Sequence, residues 1–236
     1  MGIIVAIGGG ETPAGETIKI DKNLIRMSGE KHPRLLYIST ASDMEPKVSA
    51  PMIAHFTDLG CRVSHLNLIL DNYTDAEIHR MILEQDIIYV GGGDTIRLYH
   101  VFRSLHVDQY LREAYDNGVI LSGVSAGAMI WFSYGHTDSR SYYTKNWEYA
   151  RIPCLGFIKA VLSPHFAPHR KVLMDKMYEE GESFPGVALE NRTSIVIRDG
   201  VATPYRDDPE AKVHIYYPTA TGYRIYNPED GEKFDL

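Results

Sequence analysis

The sequence predicts an α/β fold with a doubly wound, mostly parallel sheet and antiparallel edge strands near the C-terminus. Up to about residue 180, short apolar runs alternate with helix-compatible stretches. This alternation is typical of parallel strands that are covered by helices on both faces. After Pro185 the pattern changes to short strand-like runs separated by turn residues, which indicates antiparallel pairing.

The strands of the parallel sheet are predicted from continuous apolar runs, because strands buried on both faces do not alternate with polar residues. These runs cover residues 3–7, 34–38, 62–66, 86–90, 119–121 and 158–162. Glycine or small polar residues follow most of them. Since binding sites of open parallel sheets form at the carboxyl ends of the strands, we expect these residues to converge on one rim.

The intervening helices are predicted from their start and stop signals. Thr74 and Glu77 form a capping box, and Asp94 is suited to cap the helix that follows it. Gly60 and Gly181 are suited to helix C-termini. The predicted helices cover residues 47–59, 75–85, 95–105, 107–116 and 168–180.

The last quarter of the chain carries the predicted edge strands, at residues 187–189, 194–197, 201–202, 214–217 and 223–226. A hairpin turn is predicted at Asp199-Gly200. Neither an internal repeat nor a linker-like stretch interrupts the chain, so we expect residues 1–236 to form a single domain.

Composition excludes several classes of function. The 236 residues carry a net charge of -7 without a run of Lys or Arg, which argues against nucleic-acid binding. No stretch approaches the roughly 20 apolar residues that span a bilayer, and no signal peptide is evident, so we expect a cytoplasmic protein with no membrane partner. Cys61 and Cys154 lack metal-type spacing, and we expect buried, reduced thiols, with no metal and no cofactor.

The most informative motif is Gly123-Val124-Ser125-Ala126-Gly127, which lies between a predicted strand and a helix-compatible run, residues 126–132. A G-x-S-x-G in this context is typical of a nucleophile elbow, a sharp turn that exposes a serine hydroxyl. The alternative is a glycine-rich turn with a buried serine. The order of strand, turn and helix favours the elbow.

A serine nucleophile needs a base, and His165 is the candidate among ten histidines. It follows the apolar run 158–162 and Pro164, so we expect it at the same rim as Ser125. His169 is the nearest rival, although it lies at a predicted helix start. His136 is close in sequence, but we expect the helix after Ser125 to carry it away.

The base in turn needs a group that orients it. Glu190 ends the apolar run 187–189 and is therefore expected near the same rim, although a solvated loop glutamate remains the alternative. Asp138 and Asp199 are competitors, and Asp199 lies in an obvious turn.

Acyl transfer also requires hydrogen-bond donors that face the developing oxyanion. The amide of Ala126 and those of Gly92 and Gly93 are the candidates. The alternative is that residues 91–93 only form a tight turn before Asp94, and the two interpretations are compatible.

Taken together, these motifs resemble the peptidase E (aspartyl dipeptidase) and cyanophycinase family of serine peptidases, family S51. The resemblance runs from about residue 3 to residue 201 and rests on the segments Gly91-Gly92-Gly93-Asp94-Thr95, Gly123-Val124-Ser125-Ala126-Gly127-Ala128 and Pro164-His165-Phe166, with Glu190. It implies a flavodoxin-like three-layer sandwich, similar to class I glutamine amidotransferases with serine in place of cysteine. It also implies a triad in the order Ser125, His165, Glu190.

The resemblance further implies an exopeptidase that acts on short peptides. Asp138 is then a candidate to hold a substrate amine, and Arg140 or Arg170 a carboxylate. The aromatic residues Tyr142, Tyr143, Trp147 and Tyr149 are candidates to line a pocket, or else pack locally. Two alternatives stay open: a non-catalytic ligand-binding member of the fold, and a hydrolase of β-aspartyl or cyanophycin-like amides. The oligomeric state, a homodimer included, is also open.

Overall fold

The computed structural model describes residues 2–42, 46–145 and 148–236. The strands of this part of the chain are β1 (Ile4–Ile7), β2 (Arg34–Ile38), β3 (Arg62–Leu66), β4 (Ile87–Val90), β5 (Ile120–Val124), β6 (Phe132–Thr137), β7 (Ala150–Pro153), β8 (Ile158–Ser163), β9 (Gly186–Leu189), β10 (Thr193–Arg198), β11 (Val201–Arg206), β12 (Val213–Thr219), β13 (Gly222–Tyr226) and β14 (Phe234–Asp235). The helices are α1 (Ile18–Met27), α2 (Ser49–Asp58), α3 (Asp75–Leu83), α4 (Thr95–Ser104), α5 (Val107–Asp116), α6 (Ala126–Met129) and α7 (Pro168–Glu179).

A large sheet with the strand order β14-β11-β10-β1-β5-β4-β2-β3 forms the centre of the fold. Its strands β1, β5, β4, β2 and β3 run parallel, and β10, β11 and β14 extend it antiparallel. Leu24 of α1 and Phe56 of α2 pack against one face, and Leu98 of α4 and Leu111 of α5 belong to the core on the other. The predicted doubly wound α/β class is therefore confirmed.

A second sheet has the order β13-β12-β9-β8-β6-β7. Its strands β6, β8 and β9 run parallel, while β7, β12 and β13 are antiparallel. Met174 and Tyr178 of α7 pack against Ala188 and Tyr216 on its outer face. The C-terminal strands thus divide between the two sheets, and the strand that precedes His165 lies in the second.

Four elements were not predicted: α1, β6, β7 and β14. The helix after Ser125 ends at Met129, and the chain turns into β6, because the following aromatic residues are buried between the sheets: Trp131 and Phe132 are both 0% exposed. Helix α1 was not predicted, because its N-cap residue makes no side-chain capping hydrogen bond of the kind used to predict the other helices. Its N-terminal amides, those of Lys19 and Ile20, donate to the carboxylate of Asp207, a partner 188 and 187 residues away.

The capping signals that were recognised gave correct helix starts. Thr74 and Glu77 form both bonds of the capping box at α3, and Asp94 accepts from the amides of Ile96 and Arg97 at α4. Cys61 and Cys154 are free and buried, as expected. Burial raises the pKa of these thiols to about 11 and about 12. Within the described residues, no helix is both long and apolar enough to cross a membrane.

Candidate active site

The chain turns sharply at Ser125, between β5 and α6. Its backbone angles, φ 57° and ψ -117°, are strained for a residue with a Cβ. Two glycines allow the turn, because a Cβ on Gly123 would lie 2.3 Å from the carbonyl oxygen of Gly127, and one on Gly127 would lie 2.0 Å from that of Val90. The geometry matches the elbow that the motif predicts, with Ser125 half-buried rather than enclosed.

The end of β1 anchors this rim. Three backbone amides donate to its consecutive carbonyl groups: Ser125 to Ile7 (3.1 Å), His165 to Gly8 (2.8 Å) and Arg192 to Gly9 (2.8 Å). The same three donors have positive φ values of 57°, 49° and 65°. Strained backbone persists only where surrounding contacts impose it, and it clusters at functional sites. Strand β1 therefore brings residues from three distant segments of the chain to one place.

The His165 ring is held by an amide side chain. Its Nδ1 lies 2.7 Å from Oδ1 of Asn191. Burial lowers the pKa of His165, the hydrogen bond to Asn191 raises it in part, and the charge of Arg170 lowers it further. The imidazole is thus neutral at neutral pH, as a general base must be. The sequence prediction did not include Asn191.

Glu190 does not make the contact expected of it. Its Oε1 lies 3.0 Å from Nε2 of His214, and its Oε2 accepts from the backbone amide of Lys212 at 3.0 Å. Glu190 and Asn191 lie in the turn between β9 and β10, and there Asn191 rather than Glu190 contacts the His165 ring. The expected bond between Glu190 and His165 is therefore corrected to one between Asn191 and His165. In this turn no strand alternation distinguishes Asn191 from Glu190 in the sequence.

The structure separates the oxyanion candidates. A Cβ on Gly92 would lie 3.2 Å from Cβ of Ser125, so this glycine faces the elbow. Gly93, with φ 136°, instead lies against the backbone of Ala41, where a Cβ would approach the carbonyl oxygen to 2.3 Å. Ala126 directly follows Ser125 at the start of α6. The amides of Gly92 and Ala126 donate to no residue that the structure describes, which leaves them available.

The backbone amides of Ser125 and His165 bind consecutive carbonyl groups at the end of β1, but no hydrogen bond joins the Ser125 hydroxyl to the His165 ring. Among described residues, the Ser125 hydroxyl makes no hydrogen bond. Catalytic hydrogen bonds of unliganded enzymes often close only when substrate is bound.

The residues expected to bind substrate lie in two places. Arg170 is 5% exposed, and its guanidinium lies 3.6 Å from the Asp138 carboxylate and 4.5 Å from the Tyr149 ring centre. Arg170 and Asp138 both act electrostatically on His165, so this pair is close to the base. Arg140 instead pairs with Glu148 at the surface, at 2.9 Å.

Hydrogen bonds hold the segment after β6 against the residues that follow the glycine turn 91–93. The hydroxyl of Tyr143 donates to Asp94, and the Thr95 amide donates to Ser139 at 2.9 Å. Asp138 lines a cavity of about 360 Å³ together with Ser141, Tyr142, Thr144 and Lys145. Trp147 lies outside the described residues. In the described ranges, no cluster of three or more His, Cys, Asp or Glu side chains is arranged to hold a metal ion.

His136 lies on β6, close to Arg170, rather than being carried away by a helix. Its Nδ1 is 3.1 Å from Oγ of Ser163, and the Arg170 guanidinium donates to its backbone carbonyl at 3.4 Å. Burial lowers the pKa of His136 to about 4, and the charge of Arg170 contributes.

We expect His136 to make the protein less stable in acid. Because its pKa is lower in the folded chain than its unfolded value of about 6.5, the unfolded chain binds the extra proton between these two values. The free energy of unfolding does not depend on His136 above about pH 6.5, and it falls by about 3 kcal/mol as the pH drops to 4. Urea titrations of the wild type and of His136→Gln at several pH values measure this pH dependence of the free energy of unfolding. An equal pH slope in both proteins would contradict this prediction.

Comparisons with known proteins agree on one family. The model of peptidase family S51 matches residues 4–204. An uncharacterized peptidase of Bacillus subtilis (strain 168), YgaJ, is 34% identical over 164 residues, which cover 70% of this chain and 68% of YgaJ.

Two solved structures share the fold. A peptidase from an acI-B1 Actinobacterium superposes with a TM-score of 0.76 at 22% identity, covering 100% of this chain and 97% of the other. A protein from Listeria monocytogenes EGD-e that is described as a peptidase E protein superposes with a TM-score of 0.66 at 20% identity. The match covers 87% of this chain and 98% of the other.

Proposed function

Because this chain belongs to peptidase family S51 and is a peptidase, we propose that it hydrolyses short peptides through an acyl-enzyme on Ser125, with His165 as general base. The observation that carries this proposal is the shared anchor on β1. The amides of Ser125 and His165 bind adjacent carbonyl groups, those of Ile7 and Gly8, which supports a nucleophile and a base at the same strand end.

Acylation, the first half of the proposed reaction, has two proton transfers. The Ser125 hydroxyl attacks the scissile carbonyl carbon and gives its proton to Nε2 of His165. His165 then gives that proton to the leaving amine. In deacylation, water gives a proton to Nε2 of His165 and attacks the acyl carbon, and His165 passes this proton to the departing oxygen of Ser125, which releases the carboxylic product. The amides of Gly92 and Ala126 hold the oxyanion. No step needs a metal or a cofactor.

We further propose that a dipeptide is the preferred substrate. Asp138 and Arg170 place opposite charges close to His165, which suits a ligand with a free amine and a carboxylate. Their separation of 3.6 Å is long for a salt bridge of full strength, so a substrate that bonds to each of them replaces a weak contact. The position of Arg140 at the surface favours Arg170 as the carboxylate partner.

We expect a fluorophosphonate to label the protein once, at Ser125, and to leave Ser125→Ala unlabelled. Ser163 is the internal comparison, because its hydroxyl lies 3.1 Å from a histidine nitrogen but is fully buried. Mass spectrometry of the labelled peptide identifies the site. Unchanged labelling of Ser125→Ala would refute the proposed nucleophile.

A dipeptide library assayed beside Ser125→Ala then tests the substrate. Turnover of α-linked dipeptides supports the dipeptidase proposal, and turnover of β-aspartyl dipeptides alone would replace it with an isopeptide hydrolase. A wild-type protein that is neither labelled nor active, but is stabilised by a small ligand, would indicate a binding protein.

A further inference from the structure

Three buried hydroxyl groups connect the first turn of α4 to the end of β6. The Thr95 amide donates to Oγ of Ser139 at 2.9 Å, and this oxygen lies 2.9 Å from Oγ1 of Thr137. Oγ1 of Thr137 in turn lies 3.3 Å from Oγ1 of Thr95. All three residues are at most 1% exposed. These contacts form a closed circuit, the hydroxyl cluster, between residues that are 42 and 44 positions apart in the sequence.

The hydroxyl cluster completes the cap of α4. Asp94 accepts hydrogen bonds from the amides of Ile96 and Arg97. The Thr95 amide instead donates to Ser139, which belongs to another segment of the chain. Because a buried amide without an acceptor is costly, the start of α4 is stable only where Ser139 meets it.

A second contact joins the same two segments. Tyr143 directly follows the short 3-10 helix Ser139–Tyr142, and its hydroxyl donates to Asp94. One carboxylate oxygen of Asp94 thus binds amides of α4 and the other binds Tyr143. Asp94 is fully buried. The segment 137–143 is therefore hydrogen-bonded to the start of α4 at both of its ends.

The start of α4 directly follows the turn that carries a proposed oxyanion donor. The Gly91 amide donates to the carbonyl of Ile38 at 2.9 Å. The Asp94 amide donates to that of Ala41 at 3.0 Å, so the sheet side of the turn is held at both ends. The Gly92 amide, between them, donates to no described residue, and its direction depends on these neighbours. An oxyanion donor is effective only if it is held in place before the charge develops.

We propose that Ser139 is a positioning residue for the oxyanion site. Through the hydroxyl cluster it holds the first turn of α4, and with it the Gly92 amide, in the place where the amide meets the oxyanion. This inference rests on the proposed function of Ser125. Ser139 and Thr137 touch neither the substrate nor the reacting atoms, and they exchange no proton with them.

Asp138 gives the hydroxyl cluster a second consequence. It lies between Thr137 and Ser139 in the chain, and its carboxylate is 3.6 Å from the Arg170 guanidinium. The cluster thus holds the backbone on both sides of Asp138. The oxyanion turn and the proposed site for the substrate amine therefore share one set of buried contacts, although they belong to different sheets.

The kinetics of labelling distinguish positioning from stability alone. A residue that only stabilises the fold changes how much protein is folded, and so the final extent of labelling. A positioning residue changes the rate constant of the folded protein. A fluorophosphonate suits this test, because its phosphoryl oxygen occupies the oxyanion site and it carries no amine for Asp138.

The first experiment measures labelling of the full-length protein at several probe concentrations. We expect Ser139→Ala to lower the maximal rate by about 10- to 100-fold, since a misplaced donor no longer meets the charge. The concentration that gives half of this rate should stay within about threefold, because Gly92 acts in the transition state. Ser141→Ala is the matched control. Ser141 lies in the same 3-10 helix, and its hydroxyl bonds to no residue in the described ranges.

A pair of variants at Thr137 separates the hydroxyl group from packing. Thr137→Val keeps the shape of the side chain and removes the hydroxyl, whereas Thr137→Ser keeps the hydroxyl and removes a methyl group. We expect Thr137→Val to slow labelling and Thr137→Ser to remain close to the wild-type rate. A slower rate in Thr137→Ser than in Thr137→Val would mean that packing matters rather than the hydroxyl cluster, and would overturn the proposal.

The second experiment is an NMR measurement that needs no activity. We expect the Thr95 amide to exchange with solvent at least about tenfold faster in Ser139→Ala, and the Gly92 amide resonance to move, with neither change in Ser141→Ala. An unmoved Gly92 resonance, or labelling of Ser139→Ala at the wild-type rate, would overturn this inference and leave the proposed function intact. Absent labelling of the wild type would refute the proposed function itself.

Discussion

Replacing Gly9 by alanine is expected to reduce kcat/KM by about 10²- to 10⁴-fold. The new methyl group would lie 2.3 Å from both His165 Nδ1 and Asn191 Oδ1, well inside van der Waals contact. It cannot be accommodated while the two side chains remain hydrogen-bonded. The base then loses its orientation, its tautomer or both. The measurement is peptidase activity together with the rate of Ser125 labelling.

Gly15→Ala is the matched control. Gly15 also has positive φ, 81°, but a Cβ there would meet no atom within 4 Å. Alanine at this position therefore introduces backbone strain of about 1 kcal/mol or more without a steric clash. If Gly9→Ala is as active as Gly15→Ala, the placement of His165 and Asn191 over Gly9 is wrong.

A double variant separates this effect from general damage. If the methyl group added by Gly9→Ala acts by displacing Asn191, then Gly9→Ala combined with Asn191→Ala should be no worse than Gly9→Ala alone. If the two substitutions acted independently, their reductions in kcat/KM would multiply, because substitutions at sites that share no partner are close to additive in free energy.

Local patterns were sufficient for much of the fold. Thr74 and Asp94 mark helix starts because their caps are formed by residues two and three positions away. Helix α1 was missed because its cap, Asp207, is distant in sequence. Strand β6 was missed because Trp131 and Phe132 follow a helical turn, and only their burial between two sheets decides the conformation.

The candidate site, like the fold, has residues that a local pattern predicts and one that only tertiary contacts reveal. Ser125 and His165 could be proposed from the sequence because each stands at the end of an apolar run, where sites of parallel sheets are expected. Glu190 and Asn191 are consecutive residues in the turn between β9 and β10, where no strand alternation decides which side chain faces His165. A carboxylate was expected on chemical grounds, and only the contacts of Glu190 with His214 and Lys212 reveal that it faces the other side.

Gly127→Ala is expected to destabilise the fold by about 3 kcal/mol, at the upper end of what overpacking costs. Alanine is normally the better helix former by about 1 kcal/mol. Here its methyl group would lie 2.0 Å from the Val90 carbonyl oxygen and 2.8 Å from that of Gly91, and both are backbone atoms at the end of β4 that cannot rotate away. Helix α6 would have to separate from the sheet. For a chain of this size, the melting temperature should fall by about 6 to 12 °C.

Ser125→Ala is the control for Gly127→Ala. The two variants separate the chemical role of the motif, the hydroxyl group, from its structural role, the close packing of α6. The Ser125 hydroxyl bonds to no described residue, so its removal should change stability by no more than about 0.5 kcal/mol while labelling is lost. Gly127→Ala removes no chemical group, yet it should lower stability and slow labelling together, because the turn that presents Ser125 depends on α6 lying against β4. A Gly127→Ala protein with wild-type stability and slow labelling would mean that the glycine serves the reaction directly and that the close packing of α6 on β4 is incorrect.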